Sequence, residues 1–104
     1  MDELAQLRDR YLTLTNQSLP QLALERQFPV SMNHCFQRIV LDNLFGQCWY
    51  EVLQRGKEPA YRQLTQAQLE AAIAIAEAII AQPDAYMRQL NQNSLRWRSK
   101  VPRG

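Results

Sequence analysis

The stretch SMNHCFQRIVLDNLFGQCWYEVLQRG (residues 31–56) has the apolar spacing of one long helix, but three of its polar residues break that pattern. Arg38, Asp42 and Asn43 fall on helical faces that neighbouring side chains make apolar. A buried charge needs a partner, and Arg38 and Asp42 are four residues apart. The pattern therefore predicts a half-buried Arg38–Asp42 salt bridge. The alternatives are a polar pocket for a small anion or acyl group, or three solvated side chains.

A pocket built on this stretch would bind an anion. The guanidinium group of Arg38 can hold a carboxylate or a phosphate through two parallel hydrogen bonds, and aromatic side chains would wall the site. The candidate ligand-binding residues are Arg38, Asp42, Asn43, Trp49 and Tyr61. Beyond Asp42 no side chain is a candidate general base. The sequence therefore predicts no catalytic residue and favours a protein that is not an enzyme.

The single histidine and both cysteines of the chain, His34, Cys35 and Cys48, lie in the same stretch. His34 and Cys35 are adjacent, so on a helix their side chains point about 100° apart and cannot act together on one atom. A metal site needs several ligands at suitable spacing, and one histidine does not supply them. We predict no metal ion and no cofactor, a surface or capping role for His34, and buried positions for both cysteines.

The C-terminal part of the chain is basic. Residues 85–104 contain five Lys or Arg and no Asp or Glu, in a chain whose net charge is +2. Such a tail attracts polyanions, and an aromatic side chain between two arginines can stack on a base. The favoured alternative is that Trp97 closes the hydrophobic core while its neighbours reach water. The candidate nucleic-acid or partner residues are Arg88, Arg96, Trp97, Arg98 and Lys100.

Composition and helix signals together predict the fold that must position these residues. With 46% hydrophobic residues, three Gly and few β-branched side chains in 104 residues, the sequence is typical of a helical domain. We predict an all-α fold, a compact bundle of five or six helices in a single domain over residues 1–104. Residues from about 99 to 104 are expected to form a flexible basic tail.

The helix boundaries follow from capping residues and apolar spacing. We predict helices over about 2–14 and 20–26 and a long central helix over about 32–55. The central helix either kinks at Gly46 or is covered on two sides by different neighbouring elements. Thr65 and Gln68 form a capping box before a helix over 66–81. That helix is apolar on nearly every side, which is typical of a bundle centre or an oligomer interface. A final helix over about 85–98 follows.

The sequence indicates no membrane insertion and no export. Its N-terminus is acidic and amphipathic rather than basic and apolar, which argues against a secretory signal. No apolar run approaches the roughly 20 residues that span a bilayer. Two cysteines in a chain without a signal are consistent with a reducing compartment, so we expect a cytoplasmic protein.

Three stretches within residues 33–100 resemble a family of small helical proteins from bacteria, notably cyanobacteria, whose function is uncharacterised. The pattern is C-F-x-R-I-x-x-D-N-x-x-G-x-x-W, then P-A-Y-x-x-L, then S-L-x-W-R. It is matched here by Cys35, Phe36, Arg38, Ile39, Asp42, Asn43, Gly46, Trp49, Pro59, Ala60, Tyr61, Leu64, Ser94, Leu95, Trp97 and Arg98. Members are sometimes labelled acetyltransferases, but the three isolated glycines of this chain cannot form the pyrophosphate loop of the common acetyltransferase superfamily.

Three functions are compatible with these observations. The first is a protein-binding or regulatory module that acts through protein partners and self-associates, with residues 66–81 as the interface. The second is a pocket for a small anionic or acyl ligand around Arg38, Asp42 and Trp49. The third is nucleic-acid binding by the basic C-terminus, for which the sequence contains no recognised motif.

Overall fold

The computed structural model describes residues 2–99, and within them the protein is all-helical with no strand. The elements are α1 (Glu3–Thr13), a π-helical turn (Leu14–Ser18), α2 (Leu19–Ala23), α3 (Asn33–Phe45), two 3-10 turns (Trp49–Glu51 and Ala60–Gln63), α4 (Gln66–Ala81) and α5 (Asp84–Arg98). Because α1, the π turn and α2 form one continuous rod, the fold has four helices rather than the five or six predicted. Of the predicted tail, positions 100–104 lie outside the described residues.

The rod formed by α1 and α2 passes through Pro20 without a break, whereas the sequence predicted a new helix there. Proline lacks an N–H donor, and its ring clashes with the carbonyl four residues earlier in a regular α-helix. The π turn Leu14–Ser18 lies immediately before Pro20 and widens the helix where that clash would fall. At the other end of the rod, Asp2 caps α1 and accepts a hydrogen bond from the Ala5 N–H at 2.7 Å.

The prediction of one central helix over about 32–55 is wrong, because α3 ends at Phe45. Gly46 adopts a left-handed conformation with φ of 68°, which glycine reaches without steric cost. The Gly46 and Gln47 N–H groups both donate to the Asp42 carbonyl and close the helix end. The chain then turns back, and its apolar residues pack on the bundle from a 3-10 turn that begins at Trp49.

Helix α4 begins and ends where the sequence predicted. The Thr65–Gln68 capping box is confirmed, with the Gln68 N–H donating to the Thr65 hydroxyl at 3.1 Å and the Thr65 N–H donating to the Gln68 side chain at 2.9 Å. Its apolar side chains pack against α1 and α3, and α3 also packs against α5. The buried cluster includes Tyr11, Leu14, Phe36, Ile39, Leu69 and Ile79.

One arginine joins the end of α4 to the start of α5. The Arg26 guanidinium donates to the backbone carbonyls of Ile79, Ile80 and Gln82 and forms an ion pair with Asp84 at 2.6 Å. The last carbonyls of a helix have no partner within the helix, so this contact satisfies groups that would otherwise depend on water.

Two expectations that concern the outer surface of the bundle can be compared directly with the structure. Trp97 was expected to close the core, but it is partly exposed and lies outside the hydrophobic cluster of residues 2–99. No helix in that range combines the length and the apolarity needed to cross a membrane.

Candidate functional site

A fully buried carboxylate lies at the crossing of α3 and α5. The side chain of Asp42 has no solvent exposure and accepts four hydrogen bonds. The donors are the Ser94 hydroxyl at 2.6 Å, the Arg98 Nε and Nη2 atoms at 2.8 and 3.3 Å, and the Trp49 backbone N–H at 2.9 Å. Every acceptor position of the carboxylate therefore faces a donor, which is what a buried charge requires.

The predicted salt bridge between Arg38 and Asp42 is not formed. Asp42 pairs instead with Arg98, from the last turn of α5. Arg38 donates to the Ser94 hydroxyl oxygen at 2.8 Å and to the Asn91 side-chain oxygen at 2.9 Å. Ser94 thus accepts from Arg38 and donates to Asp42, so the two charges are connected through one hydroxyl group.

The two arginines differ in their electrostatic partners. Burial disfavours the charged form of Arg98, but hydrogen bonds to Asp42 and Tyr50 outweigh that effect, and the pKa of its guanidinium is raised above the usual value. Arg38 contacts only neutral groups among the described residues. Its positive charge is therefore not balanced by a carboxylate in direct contact.

Both guanidinium groups line an open cleft of about 290 Å³ between the start of α3, the end of α5 and the loop after α3. His34 lines it from the first turn of α3, and Trp49 and Tyr50 from the 3-10 turn. The remaining wall is partly apolar and includes Leu41, Pro59 and Ala60.

The inner network leaves part of each guanidinium group available to the cleft. An arginine carries five N–H donors. Within residues 2–99, Arg38 uses two of them on Ser94 and Asn91, and Arg98 uses two on Asp42 while its guanidinium carbon lies 4.6 Å from the Tyr50 ring centroid. These hydrogen bonds hold the two guanidinium groups in place, and each group has further N–H donors beyond them.

Two predicted ligand-binding residues lie elsewhere. The Asn43 amide donates to the carbonyls of Ile39 and Leu90 and accepts from Asn93, so it joins α3 to α5 away from the cleft lining. The ring of Tyr61 stacks on buried Tyr11 with centroids 6.2 Å apart and packs against the hydrophobic cluster. Of the five candidates, Arg38 and Trp49 line the cleft, and Asp42 supports it from inside.

The basic residues of α5 do not form one patch with a common environment. Arg88 and Arg96 are exposed, and the Arg96 guanidinium lies 5.9 Å from the centroid of the Trp97 ring. Arg98 is bound to Asp42. Lys100 lies outside the described residues.

The structure contains no cluster of three or more His, Cys, Asp or Glu side chains suited to a metal ion within residues 2–99. Cys48 is buried, as expected, whereas Cys35 is only partly buried. Neither cysteine is in a disulfide.

Sequence reasoning missed Ser94, Asn91 and Tyr50 as residues of the site, and it assigned Arg98 to a nucleic-acid or partner surface instead. Ser94 lies on the same helical face as Tyr86 and Leu90, so a polar side chain on an apolar face was the available signal. Nothing comparable marked Asn91 or Tyr50, because a polar residue within a helix and an aromatic residue beside a loop are both common.

Comparisons of this chain with protein families, with curated proteins and with solved structures find no match.

Proposed function

We propose that the protein binds a small anionic ligand in the cleft between Arg38, Arg98 and Trp49. The observation that carries this proposal is the position of Arg38, a partly buried cation that lines a cleft and contacts no carboxylate among the described residues. A planar guanidinium group with unused donors is the side chain best suited to a carboxylate or phosphate oxygen.

The buried network supports this function because it holds both guanidinium groups before any ligand arrives. Asp42 fixes Arg98 with two hydrogen bonds, and Ser94 and Asn91 fix Arg38 with one each. A binding group that is already held in place loses less conformational entropy when the ligand binds.

Calorimetric titration with acetate and with inorganic phosphate tests the proposal. We expect binding of at least one anion by the native protein and its loss in Arg38→Met. Arg38→Lys should bind more weakly than the native protein, because an ammonium group cannot form two parallel hydrogen bonds. Arg88→Met is the matched control, since Arg88 is exposed on α5 and does not line the cleft. Equal anion binding by Arg38→Met and Arg88→Met would refute the assignment.

A second candidate function, self-association through α4, is favoured by one observation on its outer face. Leu69, Ile73 and Ile79 of α4 are buried in the core, whereas Ile80 is 36% exposed. The outer face of α4 presents Ala67, Ala71, Ala74, Ala78 and Ala81. These alanines are spaced alternately four and three residues apart, the spacing of a coiled-coil seam. Small side chains allow a second helix to approach closely.

Native mass spectrometry of the gently purified protein separates the two candidates, because it reports subunit number and bound mass together. A monomer carrying a small extra mass supports the cleft, and a dimer without one supports the α4 seam. Ala74→Glu places a charge at the centre of the seam and should dissociate such a dimer, whereas Ala85→Glu, on exposed α5 surface, should not. A dimer that survives Ala74→Glu would exclude the seam as its interface.

The basic C-terminus has less support as a nucleic-acid site, because Arg98 is already bound to buried Asp42. If nucleic acid does bind there, affinity should fall steeply with salt and should drop when residues 96–104 are removed. That truncation also deletes Arg98, so Arg96→Met is the cleaner variant.

A further inference from the structure

The size of the cleft restricts the ligand, if the anion-binding function proposed above is correct. Ligand pockets for drug-sized molecules measure roughly 300–1,000 Å³, and an apolar cavity of about 150 Å³ can hold one benzene ring. At about 290 Å³ the cleft is at the lower end of that range. One ring with a short anionic substituent fits within that volume, whereas part of a larger ligand would extend out of the open side of the cleft.

The chemistry of the lining is divided between charge and apolar surface. Arg38 and Arg98 supply the donors, whereas Pro59 and Ala60 supply apolar surface and Leu41, which is 2% exposed, lies beneath them in the lining. A simple inorganic anion would leave that apolar surface exposed to water. A ligand that combines an anionic group with an apolar body would cover both parts.

Of the two aromatic side chains in the cleft, Trp49 is the one available to a ligand ring. Tyr50 is already engaged by two cations, with the guanidinium carbons of Arg55 and Arg98 at 4.2 and 4.6 Å from its ring centroid. Trp49 contacts the edge of Tyr50 at a centroid distance of 4.6 Å and an interplanar angle of 77°. Within residues 2–99, no Lys or Arg side chain lies over the Trp49 ring.

The charge of the site indicates how many negative charges the ligand carries. Arg38 and Arg98 line the cleft and Asp42 lies beneath it, so the charges of these three side chains sum to +1; Arg55 contacts the Tyr50 ring but does not line the cleft. A carboxylate balances that charge. A phosphate monoester carries about −1.5 to −2 at pH 7 and would leave an excess negative charge beside the buried Asp42 carboxylate.

From size, lining and charge we infer that the ligand is a small aromatic monocarboxylate. Its carboxylate lies between the guanidinium groups of Arg38 and Arg98, and its ring packs against Trp49 and the apolar wall. This inference depends on the proposed anion-binding function and adds the chemical class of the ligand.

Tryptophan fluorescence provides a direct test. The chain has two tryptophans, so Trp97→Phe leaves Trp49 as the single reporter. Trp97 is partly exposed and outside the core, and its replacement should not disturb the fold. The probes are phenylacetate, acetate, phenyl phosphate and inorganic phosphate, each titrated by fluorescence and by calorimetry.

We expect phenylacetate to bind about tenfold or more tightly than acetate, because even partial burial of a phenyl ring is worth that factor. It should also bind more tightly than phenyl phosphate and change the Trp49 emission. Arg38→Met in the same background should abolish binding, and Arg88→Met should leave it unchanged.

Each contrary result identifies what is wrong. Equal affinity for acetate and phenylacetate would overturn the aromatic part of the inference, and tighter binding of either phosphate probe would overturn the carboxylate part. In both cases the proposed anion site would still stand. Absence of binding by all four probes, in both assays, would overturn the inference and the proposed function together.

Discussion

The buried carboxylate of Asp42 provides the most exacting test of the structure, through the nearly isosteric substitution Asp42→Asn. The native carboxylate accepts four hydrogen bonds from three residues, Ser94, Trp49 and Arg98. An asparagine offers one acceptor oxygen and turns an NH₂ group toward donors that need an acceptor. It also leaves the guanidinium of Arg98 without a counter-charge.

The magnitude follows from how deeply each partner is buried. Removing one member of a buried ion pair typically costs about 3–5 kcal/mol. Asp42 is fully buried, but the side chain of Arg98 is 21% exposed and can turn toward water in the cleft. We therefore expect the lower end of that range, about 3 kcal/mol of unfolding free energy. For a domain of this size that loss lowers the melting temperature by roughly 12–24 °C.

Urea unfolding monitored by circular dichroism measures this cost. Asp9→Asn is the matched control, because Asp9 is an exposed carboxylate on α1 and its substitution should change stability by less than about 0.5 kcal/mol. The double variant Asp42→Asn/Arg98→Met should lose less unfolding free energy than the two single variants Asp42→Asn and Arg98→Met lose together. We expect this difference to be about 1 kcal/mol or more. If Asp42→Asn is as mild as Asp9→Asn, or if the double variant is additive, the described ion pair does not exist in solution.

Three further predictions concern other parts of the fold. Gly46→Ala should lower the free energy of unfolding by about 1–2 kcal/mol, because alanine is strained at a φ of 68°. An added Cβ meets no atom within 4 Å, so no steric clash contributes. An unchanged urea midpoint would refute the left-handed helix end. Burial raises the pKa of Tyr11 and its hydroxyl has no partner in the described structure, so Tyr11→Phe should leave stability unchanged or raise it by up to about 1 kcal/mol; a marked loss would reveal a hydrogen bond to that hydroxyl. The hydrogen bond from Arg26 lowers the pKa of Asp84 most, and the hydrogen bond from the Gln27 N–H lowers it further. The stabilising effect of the carboxylate is therefore present above about pH 4 and is lost as the pH falls through the folded-state pKa. In urea titrations the stability difference between the native protein and Asp84→Asn should therefore shrink at acid pH, and a difference that persists at the lowest pH would exclude the ion pair as its source.

The parts of the fold that local chemistry determines could be predicted from the sequence. The Thr65–Gln68 capping box and the Asp2 cap each satisfy backbone donors within one turn, so they needed no knowledge of tertiary structure. The start of α4 was predicted correctly for that reason. The prediction that a new helix starts at Pro20 was less reliable. A π turn before the proline can remove the clash between its ring and the preceding turn, and no sequence rule distinguishes that outcome from a helix break.

The end of α3 shows where local reasoning stops. Residues 47–55 retain an apolar spacing that suits a helix, and Gly46 is compatible with either a kink or a helix end. What decides the outcome is a pair of contacts to one residue. The Asp42 carbonyl accepts from the residues just after Phe45, and the Asp42 carboxylate accepts from the Trp49 N–H, so the chain is drawn back toward the helix it has just left.

The same residue explains why the four-residue spacing of Arg38 and Asp42 did not produce an ion pair. Such a pair on an exposed helix is worth only about 0.2–0.5 kcal/mol, so any better partner replaces it. Arg98 arrives from α5 with two parallel hydrogen bonds to a fully buried carboxylate, and a charge-assisted bond of that kind is roughly twice as strong as a neutral one. Arg38 is then left with neutral partners at the edge of the cleft. The long-range pairing that sequence spacing could not reveal is therefore also what leaves the Arg38 guanidinium group without a carboxylate partner, at the place where we propose that an anion binds.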